Sequence, residues 1–359
     1  MKIALKILFL LLLIGGTAWI LIDTNTAPYR KMEGKIFGTY YHITYQSSTD
    51  YDADILAQLQ AVDASLSAFN PQSIVSQVNR NEPVRVDAMF EQVFTLAQEV
   101  SAATNGAFDI TVAPLVNLWG FGFDSRDDRF ASKSDELKRE IDSIMPFVGH
   151  DKVKMLNSKR ISKQDERTML DFSAIAKGYG CDQVAALLIK HGITNFLVEI
   201  GGEIVAHGIN PDKRAWTVGI EQPTHNDGLT SHPEANNTIV PTAQMTAFLT
   251  FPLKANKREL YGLATSGNYR NFYVKDGQRY AHTIDPKTGR PVQHSLLSAT
   301  VIAPNCATAD AYATAFMVMG LKKAKTLIEN DNRLQAFLIY ADGDQTKTWH
   351  SSGLDNYIK

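Results

Sequence analysis

The chain has 359 residues, 44% apolar and 21% charged, close to an ordinary globular composition, which excludes a polytopic membrane protein and a disordered chain. Its 36 basic and 38 acidic side chains leave a net charge of -2. That excludes a nucleic-acid-binding surface spread over the whole chain but allows a local anion site. The length fits two domains or one large α/β domain at ~150 residues each. Two cysteines, Cys181 and Cys306, are too few for a disulfide scaffold, and spacing leaves open whether they pair.

In chain order, Lys2 and Lys6 precede an apolar run from Ile7 to Ile22, closed by Asp23. Residues 1–23 are expected to be a signal-anchor, because the chain stays apolar beyond the small residues Gly16-Thr17-Ala18. The alternative is a signal peptide cleaved there. No cysteine stands nearby for lipid attachment. In either case the basic end stays inside and the body faces the extracytoplasmic side. Residues 24–33 read as a polar tether, and the body is 34–359.

Lys35 to Gln46, rich in aromatic and β-branched residues, reads as a strand. Helices are expected over Asp52–Phe69, Phe90–Thr104 and, more weakly, Asp135–Met145, and within Phe172–His191. Phe196–His207 reads as a strand pair broken at Gly201-Gly202. Strands follow at Trp216–Glu221 and Ala247–Leu253, with a polar surface insertion over 224–244 between them. Tyr273–Ile284 reads as a hairpin with Asp276-Gly277 at its tip. Two helices, Thr308–Met319 and Lys322–Asn330, and a strand, Leu334–Tyr340, complete the body. No repeat of fixed period is present. Hairpins mixed with helices indicate an α+β (mixed α/β) fold, not a regular βαβ array.

Three segments could carry chemistry. In Asp171-Phe172-Ser173-Ala174-Ile175-Ala176-Lys177-Gly178, small residues let a ligand approach the backbone and Lys177 offers a charge suited to phosphate, although the Walker A spacing is missing. The structural alternative is a capped helix start with Lys177 solvated. In Tyr280-Ala281-His282-Thr283-Ile284-Asp285-Pro286, a histidine beside a turn can act as a general base, or can simply brace the turn. In Ala309-Asp310-Ala311-Tyr312-Ala313-Thr314, Asp310 and Thr314 share one helix face among small apolar residues. One carboxylate, one hydroxyl and a borrowed carbonyl suit Mg²⁺; otherwise Asp310 faces the helix dipole. Gly106-Ala107-Phe108-Asp109 and Leu263–Asn271 read, taken alone, as turns. Asn117–Phe123 could flank a flat ring or pack locally.

Six stretches in this order, GAFDITVAPLVNLWGFG, DFSAIAKGYG, FLVEIGGEI, ATSGNYRNF, HTIDPKTGRPV and ADAYATAFMVMG, resemble the ApbE family of FAD:protein FMN transferases. The likeness runs from about Gly34 to Tyr340. It implies a single α/β domain related to the T-fold. The implied activity is Mg²⁺-dependent cleavage of FAD, joining FMN to a Thr or Ser hydroxyl of an acceptor protein with release of AMP. By the same resemblance Ala107, Phe108 and Asp109 would line the flavin nucleotide, and Asp171 and Lys177 would hold FAD. Ala264 or Thr265 would give another contact. The carbonyl of Ala174, with Asp310 and Thr314, would hold Mg²⁺, and His282 would be the base for the acceptor hydroxyl.

This sequence departs from the family pattern where Phe37 replaces a Met, Phe69 replaces a Tyr near the adenine, and Ala313 replaces a second Asp carried by some members. Asp310 is then the sole matched carboxylate. The implied acceptors are extracytoplasmic domains of membrane redox complexes, such as subunits of sodium-pumping quinone reductases, with the enzyme on the periplasmic face of the inner membrane. The same residues would also serve an FAD pyrophosphatase giving FMN and AMP, or a non-catalytic FAD-binding protein.

Overall fold

Along Thr39–Gln46 burial alternates: Tyr41, Ile43 and Tyr45 are enclosed while Tyr40 and His42 face outward, as a strand with one covered face requires. In the computed structural model this strand belongs to an eight-stranded sheet. The structure describes residues 27–123, 134–221, 245–250, 261–268, 272–275, 278–355 and 358. The expected anchor over 1–23, the 224–244 insertion and the Asp276-Gly277 tip lie outside these residues. Among the described residues no helix is long and apolar enough to cross a membrane.

The sheet strands are β1 (Tyr29–Ile36), β2 (Thr39–Gln46), β3 (Phe196–Ile200), β4 (Glu203–His207), β5 (Tyr261–Gly267), β6 (Leu296–Ala303), β7 (Gln335–Asp342) and β8 (Gln345–His350). They lie side by side in chain order, and every neighbouring pair is antiparallel. The helices are α1 (Asp52–Leu66), α2 (Ile74–Asn79), α3 (Ala88–Ala103), α4 (Ala113–Leu118), α5 (Ser134–Ile144), α6 (Ala176–Lys190) and α7 (Cys306–Asn330). Helices α1 to α6 fall between β2 and β3, and α7 falls between β6 and β7. Two four-stranded halves, each with helices between its second and third strands, therefore meet where β4 pairs with β5. The topology repeats although the sequence shows no period.

Helices cover one sheet face. Phe90 and Phe94 of α3, Tyr179 of α6 and Phe316 of α7 form one core with Val301 of β6 and Leu338 of β7. Ile55 and Leu59 of α1 pack with Val184 of α6 over Ile43 and Val198. The opposite face is covered near its middle by a ribbon of Thr217–Glu221 and Met245–Thr250, whose Ile220 and Leu249 meet Leu263, Phe337 and Ile339. This is the mixed helix-and-sheet architecture expected from the sequence.

Several boundaries differ from the sequence expectation. Tyr29–Glu33, expected in the tether, belong to β1, and the expected strand Lys35–Gln46 is broken by a hairpin turn at Phe37-Gly38, where both residues have positive φ, leaving Lys35-Ile36 in β1 and Thr39–Gln46 as β2. Leu263–Gly267, expected as a turn, lies in the central strand β5. Its small residues carry little strand propensity, but they are what the close approach of α7 demands: a Cβ on Gly262 would stand 2.1 Å from Cys306 Cα. Strand β8 is polar and escaped the reading. The two expected C-terminal helices are the two parts of α7, parted at Gly320, where φ is 75°.

Helices α6 and α7 cap each other. Asp182 of α6 accepts from the N–H groups of Cys306 (2.8 Å) and Ala307 (2.9 Å), and Asn305 accepts from Thr308 N–H (2.8 Å), so the first three N–H groups of α7 are satisfied by side chains. In return Asp310 of α7 accepts from Gly178 N–H in the first turn of α6 (3.1 Å). Gly178 is required by space: a Cβ there would lie 2.3 Å from the Cys306 carbonyl oxygen. Replacing a helical glycine by alanine ordinarily stabilises by about 1 kcal/mol. Here Gly178→Ala is expected to destabilise the protein by about 1–3 kcal/mol through overpacking against backbone. Thermal melting checks this, and an unchanged or raised melting temperature would contradict the contact.

Candidate active site

The reciprocal caps place the first turn of α6 beside the second turn of α7, and the β3–β4 hairpin closes on them. Gly201 and Gly202 turn that hairpin with φ of 65° and 103°, values open to glycine, and Glu199 Oε accepts from Gly202 N–H at 2.7 Å. The turn delivers Glu203, at the head of β4, against Lys177. Lys177 Nζ stands 3.3 Å from Glu203 Oε1 and 3.7 Å from Asp310 Oδ1. Both carboxylates are enclosed, at 3% and 4% exposure, while the Lys177 side chain keeps 26% of its surface open.

Burial works against the Lys177 ammonium, but Asp310 and Glu203 outweigh it and hold the group above its ordinary range, firmly charged. Burial pushes Glu203 up to about 8 even with Lys177 beside it. Asp310 is raised by burial as well, with Lys177 and the Gly178 N–H opposing. Two carboxylates thus surround one ammonium in a poorly solvated corner. Because Gly178 N–H donates to Asp310, the Ala174 carbonyl, its usual helical acceptor, has no backbone partner among the described residues.

These groups open onto a cleft of about 530 Å³. Of the residues expected at the site, Phe69, Ala107, Phe108, Asp109, Asp171, Ala174, Lys177, Thr265, His282, Asp310 and Thr314 all line it. Phe37 and Ala264 do not. Phe37 lines an adjoining hollow with Phe69, Ser173 and Lys177 and packs over Gly180 of α6. Ala264 is fully enclosed in the core beside Thr265, whose hydroxyl pairs with that of Thr300 across β5 and β6 at 2.9 Å.

Much of the remaining lining comes from loops. Asp109 accepts from Thr111 N–H (2.8 Å), the Thr111 hydroxyl (2.7 Å) and His150 N–H (2.8 Å). Burial raises its carboxyl in spite of these donors. Both oxygens are committed to neighbouring backbone, so Asp109 shapes the wall. Asp171 accepts from Ser173 N–H (2.8 Å) and the Ser173 hydroxyl (2.5 Å), and burial raises its carboxyl too. His282 meets Phe121 edge to face, with ring centroids 6.3 Å apart. The turn that follows is held by Asp285, which accepts from the Lys287 N–H and the Thr288 hydroxyl. Trp119, expected either to flank a ring or to pack locally, packs locally: it stacks on Tyr280 and donates to the Gly289 carbonyl at 2.7 Å. Phe121, two residues on, lines the cleft.

Glu203 was missed in the sequence. The signal lay in FLVEIGGEI: an acidic residue directly after a Gly-Gly turn, two positions before Val205 and so on the same enclosed strand face.

Lys177 paired with carboxylates in a cleft also lined by Phe69, Phe108 and Phe121 suits an anionic ligand carrying a flat apolar part. Comparison with known proteins gives the family. The ApbE family profile matches residues 37–338, and the chain belongs to the ApbE family. It is 32% identical over 346 residues to the FAD:protein FMN transferase of Escherichia coli K12, covering 93% of this chain and 91% of that protein. It is 35% identical over 325 residues to the protein of the same name from Haemophilus influenzae, with 87% and 86% covered. Among solved structures, the flavin transferase ApbE from Vibrio cholerae superposes with a TM-score of 0.78 at 32% identity, covering 92% of this chain and 99% of that one. The apo flavinyl transferase ApbE of Pseudomonas stutzeri gives 0.75 at 30%, with 92% and 97% covered.

Removing the Asp109 carboxylate would orphan three donors in an enclosed wall. Asp109→Ala is expected to lose about 1–3 kcal/mol of stability in ligand-free protein. Denaturant unfolding without ligand checks this; an unchanged midpoint would mean the carboxylate serves a ligand and not the loop.

Proposed function

We propose that this protein is an FAD:protein FMN transferase, cleaving the pyrophosphate of FAD and joining FMN to a Thr or Ser hydroxyl of an acceptor protein with release of AMP. The observation that carries the reading is the Lys177 ammonium held by Glu203 and Asp310 in a cleft that His282 also lines. Family membership supports the same reaction.

A divalent cation fits the donors. Among the described residues no three His, Cys, Asp or Glu side chains converge as a metal cluster. What the cleft offers is hard oxygen: the Asp310 carboxylate, the Thr314 hydroxyl and the Ala174 carbonyl, which Gly178 N–H does not take. Such a set suits Mg²⁺, which keeps waters and takes substrate phosphates, better than a softer metal. When bound there, Mg²⁺ would supply charge neutralisation for the pyrophosphate.

The chain's own residues do the rest. Lys177 binds the phosphates as a fixed charge that needs no reorganisation. Phe69, Phe108 and Phe121 offer apolar surface to the rings and keep water from that part of the cleft. His282 accepts the proton of the acceptor hydroxyl at its ring nitrogen. The reading extends to place: an N-terminal anchor over 1–23 would hold the body on the periplasmic side of the inner membrane, near acceptor domains of membrane redox complexes such as sodium-pumping quinone reductase subunits. Recovery of a soluble mature protein lacking residues 1–18 would instead indicate cleavage.

The test is incubation with FAD, Mg²⁺ and a candidate acceptor domain, followed by mass measurement. A gain of one FMN on the acceptor with AMP released is expected. FMN and AMP both free, with the acceptor unchanged across several candidates, would point to a pyrophosphatase. In His282→Ala, FAD affinity is expected to hold while single-turnover transfer falls by ~10²–10⁴-fold; normal chemistry in that variant ends the base assignment. Asp310→Ala is expected to lose transfer at limiting Mg²⁺ and recover part of it at high Mg²⁺. Unchanged Mg²⁺ dependence would place the cation elsewhere.

A further inference from the structure

Glu203 is enclosed at 3% exposure and lines the cleft, yet only one of its oxygens is used. Oε1 lies 3.3 Å from Lys177 Nζ, and Oε2 has no hydrogen-bond partner among the described residues. A buried carboxylate oxygen left without a partner is costly, and at a binding cleft it points to a positive group that arrives with the ligand. Asp310 has less to give, because Gly178 N–H already occupies its Oδ2.

Charge arithmetic leads the same way. If a divalent cation joined Asp310 with Lys177 still in place, three positive charges would gather beside Asp310, and Asp171 in the same lining has its Oδ1 taken by Ser173. Glu203 adds a carboxylate in direct reach of Lys177, and the phosphates of the ligand add to the balance. Ala313, beside Thr314 on α7, carries no charge. The β3–β4 hairpin supplies a further charge beside Lys177, and holds it firmly: Gly202 N–H is tied to Glu199, and the Glu203 carbonyl accepts from the Cys181 thiol.

We propose that Glu203 is the second carboxylate of the cation site, the negative charge that allows a divalent cation and the Lys177 ammonium to occupy the cleft together. This rests on the reading of the cleft as a cation-dependent pyrophosphate site, and the experiment separates the two.

The probe is Mn²⁺, whose binding to full-length protein stripped of metal is followed by the loss of the free-ion electron paramagnetic resonance signal, with and without ADP as a pyrophosphate ligand. Four proteins are compared: the unaltered chain, Glu203→Gln, Glu203→Asp and Asp310→Asn. A charge role and a packing role rank the two Glu203 variants in opposite order. Gln keeps size and shape but loses the charge; Asp keeps the charge but is one methylene shorter.

The expected result is Mn²⁺ affinity about 10–100-fold weaker in Glu203→Gln, the usual size for a partner that supports a metal ligand, with Glu203→Asp closer to the unaltered chain. The melting temperature of Glu203→Gln should stay at or above that of the unaltered chain. Normal affinity in Glu203→Gln with Asp310→Asn impaired overturns the Glu203 assignment and leaves the cation site at Asp310 standing. The reverse ranking, Asp worse than Gln in both affinity and melting temperature, also overturns it, in favour of simple packing. Normal affinity in Asp310→Asn as well removes the cation site itself, and this inference with it.

Discussion

Everything in the cleft depends on the junction of α6 and α7. Each helix donates N–H groups to a carboxylate of the other: Cys306 and Ala307 to Asp182, and Gly178 to Asp310. Helix starts leave such donors unsatisfied, and a buried start without partners would be costly. Here the obligation is met across the interface, so the two helices cannot slide without orphaning both ends. The distance between Lys177 and Asp310, which sit one helical turn from Cys181 and Cys306, follows directly. The absence of a side chain at Gly178 is what permits the approach.

The same junction explains how an ordinary helix start becomes chemically useful. Asp310 takes the N–H that would otherwise go to the carbonyl of Ala174, a residue that lines the cleft. Lys177, one residue earlier than Gly178, is then held by carboxylates from α7 and from the β3–β4 hairpin. These three elements come from both halves of the sheet, which meet at β4 and β5. The site therefore exists only when the halves are joined, and its cost in buried charge is carried by a core that runs from α1 to β7 through both of them.

The site was more legible in the sequence than the sheet. DFSAIAKGYG and ADAYATAFMVMG announce themselves by composition, because close helix packing beside a ligand excludes large side chains and leaves Asp310 and Lys177 conspicuous. The hairpin at Gly201-Gly202 was also plain, since its turn demands glycine. Strand β5 was not: Gly262, Ala264 and Ser266 are poor strand formers, and they stand in a strand because α7 crowds it. Strand β8 was hidden because edge strands need only weak patterning. Glu203 was overlooked because one acidic residue at a strand head says nothing until its neighbour across space is known.

By itself the sequence determined the local elements, the α+β class, the family resemblance and most of the residues that meet at the cleft. Those follow from periodicity, turn chemistry and short motifs, all of which act over a few neighbouring residues. Tertiary structure alone decided that the strands lie in chain order in one sheet, that Asp182 and Asp310 serve each other's helices, that Ala264 is core while Thr265 reaches the cleft, and that Glu203 and Lys177 are partners. These are contacts between residues far apart in the chain, 26 positions for Lys177 and Glu203 and 133 for Lys177 and Asp310 by their numbers. Nothing in local propensity encodes them; they arise when burying the helix and sheet faces fixes one packing, and the buried charges must then find partners within it.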